Sequence, residues 1–554
     1  MKLSGAEIII KLLEEQGIKV IAGVPGGYNL PIYNALYKSN IKHVLARHEQ
    51  GAGFICHGIA RTTGRASVCF ATSGPGVTNL LTAIADAKLD SIPIVAITGQ
   101  VPYKAMGTDS FQEVDTYGLT LPITKHNFLV RSAKELIDVI PKAFKIAEEG
   151  RPGPVVVDVP KDVQNEKIEF ELSENIDNTT KENKLDISQI KKIAKAINKS
   201  QKPVMIIGGG ITNSNSGDLV KVIAEKNDIP VASTLMGIGT FPPDNRRYIG
   251  MLGMHGASYT NFIINEADLI LVFGARFDDR ATGNINKFCP NASIIHVDID
   301  AAEIDKLRKS KYSITGDVKE VLTELNKVID NNKREKWFSY IYEMKKKHPF
   351  YNPDLNDDMK NPINLVKTIS KLLDDDTIIT TDVGQHQMWT AQYYKFKHPR
   401  TLITSGGLGT MGFGLPAAIG AAIANPYKKV VCISGDGSIL MNIQELATLQ
   451  ELNLNVTVII FNNGYLGLVR QQQELFYNKE YIATKFNSNH NFSAIAEGFG
   501  IKGYSLNCKN SLNVLEEALK KVGPCVIDAP IYEFQNVLPM VPPGGGNCEM
   551  VGGK

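Results

Sequence analysis

Two short stretches of this 554-residue sequence carry residue types suited to a divalent cation: Gly435-Asp436-Gly437 and Asn462-Asn463. Each closes an apolar run rich in β-branched residues, Val430 to Ser434 and Val456 to Phe461, with a helical pattern, Ile439 to Leu452, between them. Such a strand–helix–strand unit crosses over right-handed and leaves its strands parallel. Both carboxyl ends then open on one side, where open α/β sheets bind ligands. Asp436 and Asn463 converge there as a carboxylate and an amide carbonyl. These hard oxygen donors suit Mg²⁺ or Ca²⁺, whose shell phosphate oxygens and water complete. The flanking glycines let a bulky anion approach the backbone. Either stretch alone reads as an ordinary turn; together they read as a site.

Other candidates lie at other strand ends. Arg47-His48-Glu49-Gln50 ends an apolar run. As a surface charge pair it would contribute little, whereas a glutamate at a strand end beside apolar neighbours is placed for proton transfer. Gly407-Leu408-Gly409-Thr410-Met411-Gly412 spells the GxGxxG of dinucleotide folds, but the acid expected about twenty positions on is Asp436, which the cation site uses. The better reading lets these glycines press the backbone against a flat heterocycle, with Met411 as an apolar wedge. Gly208-Gly209-Gly210 and the run Gly274-Ala275-Arg276-Phe277-Asp278-Asp279-Arg280 each follow a strand pattern. Backbone amides and guanidinium groups in such loops suit a diphosphate. The polar loop from Gly99 to Asn127 has the composition of a solvated loop and of a functional one alike.

The elements that must hold these residues form a repeating pattern. Helix Ala6 to Gln16 precedes strands at Val20 to Gly23, Lys42 to Arg47, Ser67 to Thr72, Pro93 to Thr98 and Pro154 to Val159. Helical stretches between them argue for a parallel sheet covered on both faces. Residues 164–187 are polar and read as a linker. A second unit has strands at Val204 to Ile207, Leu269 to Phe273 and Ile294 to Ile299. A polar crossing, Asn331 to Asn361, bears Lys345-Lys346-Lys347 and reads as a solvated helix face and linker. The third unit adds strands at Thr377 to Thr381, Thr401 to Ser405 and Cys525 to Ala529, and a Gly/Pro-rich tail ends the chain. The expected class is α/β: three doubly wound parallel-sheet domains in series, at 1–165, 188–330 and 362–535, with a tail at 536–554.

Hydrophobic residues make up 43% and charged ones 21%, as in ordinary globular proteins. A net charge of +2 gives no reason to expect nucleic acid or an acidic membrane surface. Seven scattered cysteines without a CxxC suggest free thiols in a reducing compartment. With no leader and no spanning segment evident, the expectation is a cytoplasmic protein.

The GDG…NN pair resembles the signature of thiamine diphosphate enzymes. PGGYNLPIY, RHEQGA, TSGPGVTNL, GTDSFQE, TKHN, RPGPVVVDVPKD, MLGMHG, GARFDDRATGN and SGGLGTMGFGLPAAIGA extend the match over about residues 1–550. With these the chain resembles the catalytic subunits of acetohydroxyacid (acetolactate) synthase. The RFDDR stretch resembles the FAD-containing members, in which FAD sits in the middle domain and does no net redox work.

The resemblance implies thiamine diphosphate, Mg²⁺ and FAD as cofactors. It also implies decarboxylation of pyruvate and transfer of the hydroxyethyl unit to a second 2-keto acid, in branched-chain amino acid biosynthesis. Glu49 would activate the cofactor through its pyrimidine nitrogen, and Met411 would be the wedge. Asp436, Asn463 and the carbonyl of Tyr465 would hold the metal, with Gly409, Gly435, Gly437 and Ser438 in contact with the cofactor. Gly26, Gln112 and Lys161 match positions near the reacting centre. Arg280 matches the residue that receives the second substrate's carboxylate, a task suited to guanidinium. Arg151, Gly208, Gly209, Met254, His255, Gly274 and Arg276 match FAD positions, as do Asp298 and Asp317. A homodimer or homotetramer with the site at the subunit interface is implied, with room for a small regulatory subunit.

Three departures stand out. Gln472 replaces the family's usual Trp in VRQWQ, Cys56-His57-Gly58-Ile59 replaces a small–acidic–Gly–Tyr run, and Phe461 replaces Leu. The first bears on acceptor choice; the other two read as packing changes. Gln472 also motivates an alternative, another thiamine diphosphate-dependent carboligase or decarboxylase acting on a different 2-keto acid or aldehyde. Intact Glu49, Asp436 and Asn463 argue against a non-catalytic paralogue.

Overall fold

The computed structural model describes residues 1–171, 185–488 and 490–552. It contains three six-stranded sheets in which every neighbouring pair is parallel. The first runs, edge to edge, Lys42–Leu45, Val20–Gly23, Ser67–Ala71, Ile94–Gln100, Val155–Pro160, His126–Leu129. The third runs Leu402–Ile403, Ile378–Thr381, Val430–Gly435, Val456–Asn462, Cys525–Pro530, Lys502–Ser505. Numbered within each sheet by chain order, both read 2-1-3-4-6-5, so two units without an evident sequence repeat share one topology.

The middle sheet differs. Its order is Tyr248–Met251, Val231–Ser233, Pro203–Ile207, Leu269–Phe273, Ser293–Asp298, Tyr312–Thr315. This is the 3-2-1-4-5-6 order of dinucleotide-binding folds, with its switch point between Pro203–Ile207 and Leu269–Phe273. In the other two sheets the order reverses between strands 1 and 3. Each unit therefore has a crevice where loops diverge at the carboxyl ends of its strands.

The first and third units share a continuous core across two crossed helices, Glu49–Thr63 and Gly414–Ala424. Glycines let these backbones meet. A Cβ on Gly58 would lie 2.0 Å from the Ala417 carbonyl oxygen, and one on Gly420 would lie 1.9 Å from that of Ile55. His48 caps helix Glu49–Thr63 by accepting the Gln50 amide, and left-handed Gly64 ends it. Glu49 is thereby fixed at the helix's first position.

Three expectations are revised. The helix over Ile439 to Leu452 is broken into Asp436–Ile439 and Glu445–Glu451, because Asn442 turns its amide onto the Gly412 carbonyl. Part of the stretch 164–187 is structured: Lys167–Glu169 pairs antiparallel with Lys2–Ser4. Residues 172–184 of that stretch lie outside the described residues. The crossing Asn331 to Asn361 contains helix Glu335–Lys347, which buries Trp337 and Ile341, and Lys345 is half-buried with its amine on the Tyr248 carbonyl. Among the described residues no helix is long and apolar enough to cross a membrane.

Candidate active site

The crevice of the third sheet holds a cavity of about 150 Å³ lined by Gly384, His386, Gly409, Met411, Asp436 and Asn463, among others. Asp436 follows strand Val430–Gly435 directly, as the alternation of apolar strand and glycine turn requires. One of its oxygens accepts the Gly437 amide at 2.9 Å and the other the Gly464 amide at 2.6 Å. Burial pushes its pKa up to about 6, against the pull of the Gly464 and Gly437 amides. The Asn463 oxygen accepts the Tyr465 amide at 3.1 Å. Among the described residues no group of three or more His, Cys, Asp or Glu side chains is placed to hold a metal ion. The donors present, one carboxylate, one amide oxygen and the Tyr465 carbonyl, fit a hard cation that takes its remaining ligands from water and a diphosphate.

The rest of the cavity fits a cofactor with both flat and polar parts. Gly435 and Gly437 leave room that Cβ atoms would close, at 2.8 Å from His386 and 2.6 Å from Leu466. Met411, Phe461, Leu466 and Ile531 supply apolar walls. His386 is held neutral, its pKa driven down to about 3 by burial. Its Nε2 and the Trp389 Nε1 are buried without a protein partner. Such orphaned groups are costly unless a ligand or water satisfies them. The Gly407 amide, by contrast, is taken by Asp90, so the GxGxxG loop spends that amide on the protein itself.

The first sheet gathers a different set at its strand ends. Asn79 donates to Glu49 at 3.0 Å, and a Cβ on Gly76 would lie 2.9 Å from Thr72 and 3.5 Å from the Glu49 carboxylate. Gly26 packs on Thr72, and Ser73 donates to the Gln112 carbonyl, where Gln112 has a left-handed φ of 61°. The Lys161 amine sits 5.8 Å from the centre of the Tyr28 ring. Glu49, Gly26, Gln112 and Lys161 are thus brought to one face. Within the chain that face does not contribute to the cavity around Asp436. Glu445, Thr448 and Glu451 of the third unit pack on this edge, Glu445 accepting the Arg47 amide at 2.8 Å and Thr448 donating to the Leu45 carbonyl at 3.3 Å.

The switch point of the middle sheet opens on a larger cavity, about 400 Å³, lined by Gly209, Gly274, Arg276, Asp298, Asp317 and Arg151, among others. A Cβ on Gly274 would lie 2.7 Å from the Gly210 Cα, so two loop backbones meet at its floor. Arg151 bridges from Ser91 to Asp300 and Glu303 at 2.8–3.1 Å. Arg61, whose Nε is buried without a partner, also lines it. Glycine loops, guanidinium groups and a strand-end acid fit a dinucleotide such as FAD.

Met254, His255 and Arg280 form a separate contact. Arg280 donates to the Met254 sulfur at 3.3 Å, the Val541 amide donates to the Met254 carbonyl, and His255 Nδ1 lies 3.4 Å from the Pro539 carbonyl oxygen. Asn547 donates to the Ala281 carbonyl at 2.8 Å, so the chain's tail is fastened to the short helix that carries Arg280. His386, Gln385 and Trp389 were missed from sequence. Their signal was a glycine, Gly384, directly beyond the strand read at Thr377 to Thr381.

The chain matches three family descriptions in series: thiamine pyrophosphate enzyme, N-terminal TPP binding domain, over residues 3–119; the central domain, over 190–325; and the C-terminal TPP binding domain, over 382–529. It is 50% identical over 553 residues to the Acetolactate synthase isozyme 1 large subunit of Escherichia coli (strain K12), covering 100% of this chain and 98% of that one. It is 43% identical to the isozyme 2 large subunit of the same organism, over 99% of each. A Probable acetolactate synthase large subunit of Methanocaldococcus jannaschii is 45% identical, over 98% of this chain and 94% of its own.

Proposed function

Because the chain belongs to the acetolactate synthase large-subunit family of thiamine pyrophosphate enzymes, we propose that it works as a homodimer or higher oligomer whose site joins two copies. Its reaction is that of a thiamine diphosphate-dependent acetolactate synthase. Pyruvate is decarboxylated, and the two-carbon unit passes to a second pyruvate, giving 2-acetolactate, or to 2-ketobutyrate, giving 2-aceto-2-hydroxybutyrate. The observation that carries the two-copy reading is the separation of Glu49 from the Asp436 cavity within one chain.

Thiamine diphosphate, when bound, supplies the electron sink for loss of CO₂ and for joining the two-carbon unit to its acceptor. Asp436, Asn463 and the Tyr465 carbonyl would hold Mg²⁺, and with it the diphosphate. Gly409, Gly435, Gly437 and Ser438 would allow close approach, and Met411 would supply the apolar wedge against the cofactor. Glu49 of one copy shares a proton with a pyrimidine nitrogen held by the other. Gly26, Gln112 and Lys161 flank the reacting atoms. Arg280 receives the acceptor's carboxylate through a two-pronged guanidinium contact.

Gly208, Gly209, Gly274, Arg276, Asp298, Asp317 and Arg151 would hold FAD, and Met254 and His255 are assigned to it as well. The helix Gly467–Phe476 and the tail exclude water. A small regulatory subunit and a cytoplasmic location complete the proposal, with the sheets assigned to units at 1–165, 188–330 and 362–535. The test is product analysis with Mg²⁺, thiamine diphosphate and FAD present. Pyruvate alone should give acetolactate, and pyruvate with 2-ketobutyrate both products. No acetolactate from either mixture, with cofactors bound, would turn the reading to a different 2-keto acid or aldehyde.

A further inference from the structure

A buried ionic cluster stands at the wall of the middle-domain cavity and reaches toward the loop that leads to the Asp436 cavity. Arg61, on helix Glu49–Thr63, donates to Asp90 at 2.6 Å and lies 3.5 Å from Asp86; both acids stand on helix Pro75–Asp90. All three are buried. His57, one turn before Arg61, donates from Nε2 to the Ala83 carbonyl at 2.9 Å and offers Nδ1 to Arg61 at 3.5 Å. It serves Arg61 as a neutral acceptor, with burial holding its pKa down at about 3. The substitution at His57 therefore enters this cluster and is more than packing.

The acids reach across to the third unit. Asp90 accepts the Gly406 and Gly407 amides at 3.0 and 2.7 Å. Asp86 accepts the Ser405 hydroxyl and, at 2.9 Å, the Thr410 hydroxyl. Residues 405–410 are thus held at four points by two side chains of another unit, immediately before Met411. Gly409 and Met411 line the cavity at Asp436, while Arg61 and Asp90 line the middle-domain cavity. The one loop has a wall of each cavity at its two ends.

We propose that Asp86 and Asp90, clamped by Arg61, are positioning residues for the Met411 loop, and that they couple occupancy of the middle-domain cavity to occupancy of the Asp436 cavity. This rests on the cofactor assignment above, FAD in the first cavity and thiamine diphosphate in the second. The physical route is short. A diphosphate dinucleotide beside Arg61 orders the guanidinium, whose Nε has no protein partner. That fixes Asp90, and Asp90 fixes the amides of the loop. In a dry cluster an unpaired charge is costly, so the arrangement is held as a unit rather than bond by bond. Burial and the neighbouring Asp90 charge both raise the pKa of Asp86, while Arg61, Ser405 and Thr410 oppose them; loosening the loop removes part of that opposition.

The test is a binding cycle on the full-length protein with Mg²⁺ present. Thiamine diphosphate affinity is read from intrinsic fluorescence, since Trp389 lines its cavity. FAD affinity is read from the quenching of flavin emission. In the unaltered protein each cofactor should tighten the other by the same factor, at least about fivefold. In Asp90→Asn and Asp86→Asn that factor should fall below about twofold, with both cofactors still bound. Should these variants fail to fold, Ser405→Ala and Thr410→Val, which each remove one loop-side bond, should lower the factor on their own. An unchanged factor in the folded variants, or none in the unaltered protein, overturns the proposal. Failure of the unaltered protein to bind either cofactor would instead remove the assignment on which it rests.

Discussion

The Asp436 carboxylate accepts the Gly464 amide at 2.6 Å, so one side chain joins the ends of two neighbouring strands at the cavity floor. Its other oxygen takes the Gly437 amide, which leaves lone pairs on both oxygens for a cation. In Asp436→Asn the charge is lost and an NH₂ faces one of those amides, donor against donor. Mg²⁺-dependent thiamine diphosphate binding should weaken on the order of 10- to 100-fold or more, and CO₂ release should fall with it. FAD binding should be unchanged. Calorimetric titration checks this, and an unaltered affinity would take Asp436 out of the site.

The same carboxyl sets a pH dependence. Burial raises its pKa to about 6 in the metal-free protein, above the roughly 3.9 of an unfolded aspartate. Between those values the folded chain holds the extra proton, so this group's contribution to stability is full below about pH 4 and is lost as pH rises through about 6. Asp382, raised to about 6 by burial, acts in the same direction. A cation needs the ionised form, so Mg²⁺ affinity should drop by about tenfold per pH unit below 6, with one proton displaced per ion. Metal titrations at pH 5, 6 and 7 test the slope, and Asp436→Asn should abolish it.

The separation of Glu49 from Asp436 within the chain predicts complementation between inactive subunits. Glu49→Gln alone should lose carboligation by a factor on the order of 10²–10⁴ while still binding FAD. When Glu49→Gln and Asp436→Asn subunits are dissociated and reassembled together, each mixed dimer carries one site with both native residues and one with neither. With random equal pairing, about a quarter of the native activity should return. If Glu49 acted on the Asp436 of its own chain, the mixture would stay inactive.

The strand ends were legible in sequence where a central strand was both long and buried on both faces; the interior strand Val231–Ser233, buried but only three residues long, was not read. Val430–Gly435, Val456–Asn462 and Leu269–Phe273 are continuous apolar runs closed by glycine or asparagine, and Asp436, Asn463 and Gly274 followed from them. The edge strands His126–Leu129, Lys502–Ser505, Tyr248–Met251 and Tyr312–Thr315 were not. Each is half-exposed and short, so polar residues interrupt its pattern. His386 escaped for another reason: Gly384 marks the strand end beside it, but its burial as a neutral polar group comes from tertiary packing. The coupling through Asp86 and Asp90 joins residues more than 300 positions apart. Only the crossing of helices at Gly58 and Gly420 brings them together.

On the proposed function, acceptor choice should turn on Gln472. Helix Gly467–Phe476 presents Val469 to the Asp436 cavity, and Gln472, one turn on, falls on the same side and is exposed. Gln471, its neighbour, is buried and bonded to Gln385 and the Val537 carbonyl, which fixes the helix's rotation. An exposed amide offers little apolar surface to the extra methylene of 2-ketobutyrate, whereas an indole at 472 would cover it. A buried methylene is worth roughly 1 kcal/mol, which corresponds to about a fivefold change in discrimination. Gln472→Trp should therefore shift competition toward 2-aceto-2-hydroxybutyrate by at least about fivefold, with CO₂ release from pyruvate alone little changed. The product ratio from mixed substrates is the measurement. An unchanged ratio would place the acceptor's side chain away from this helix.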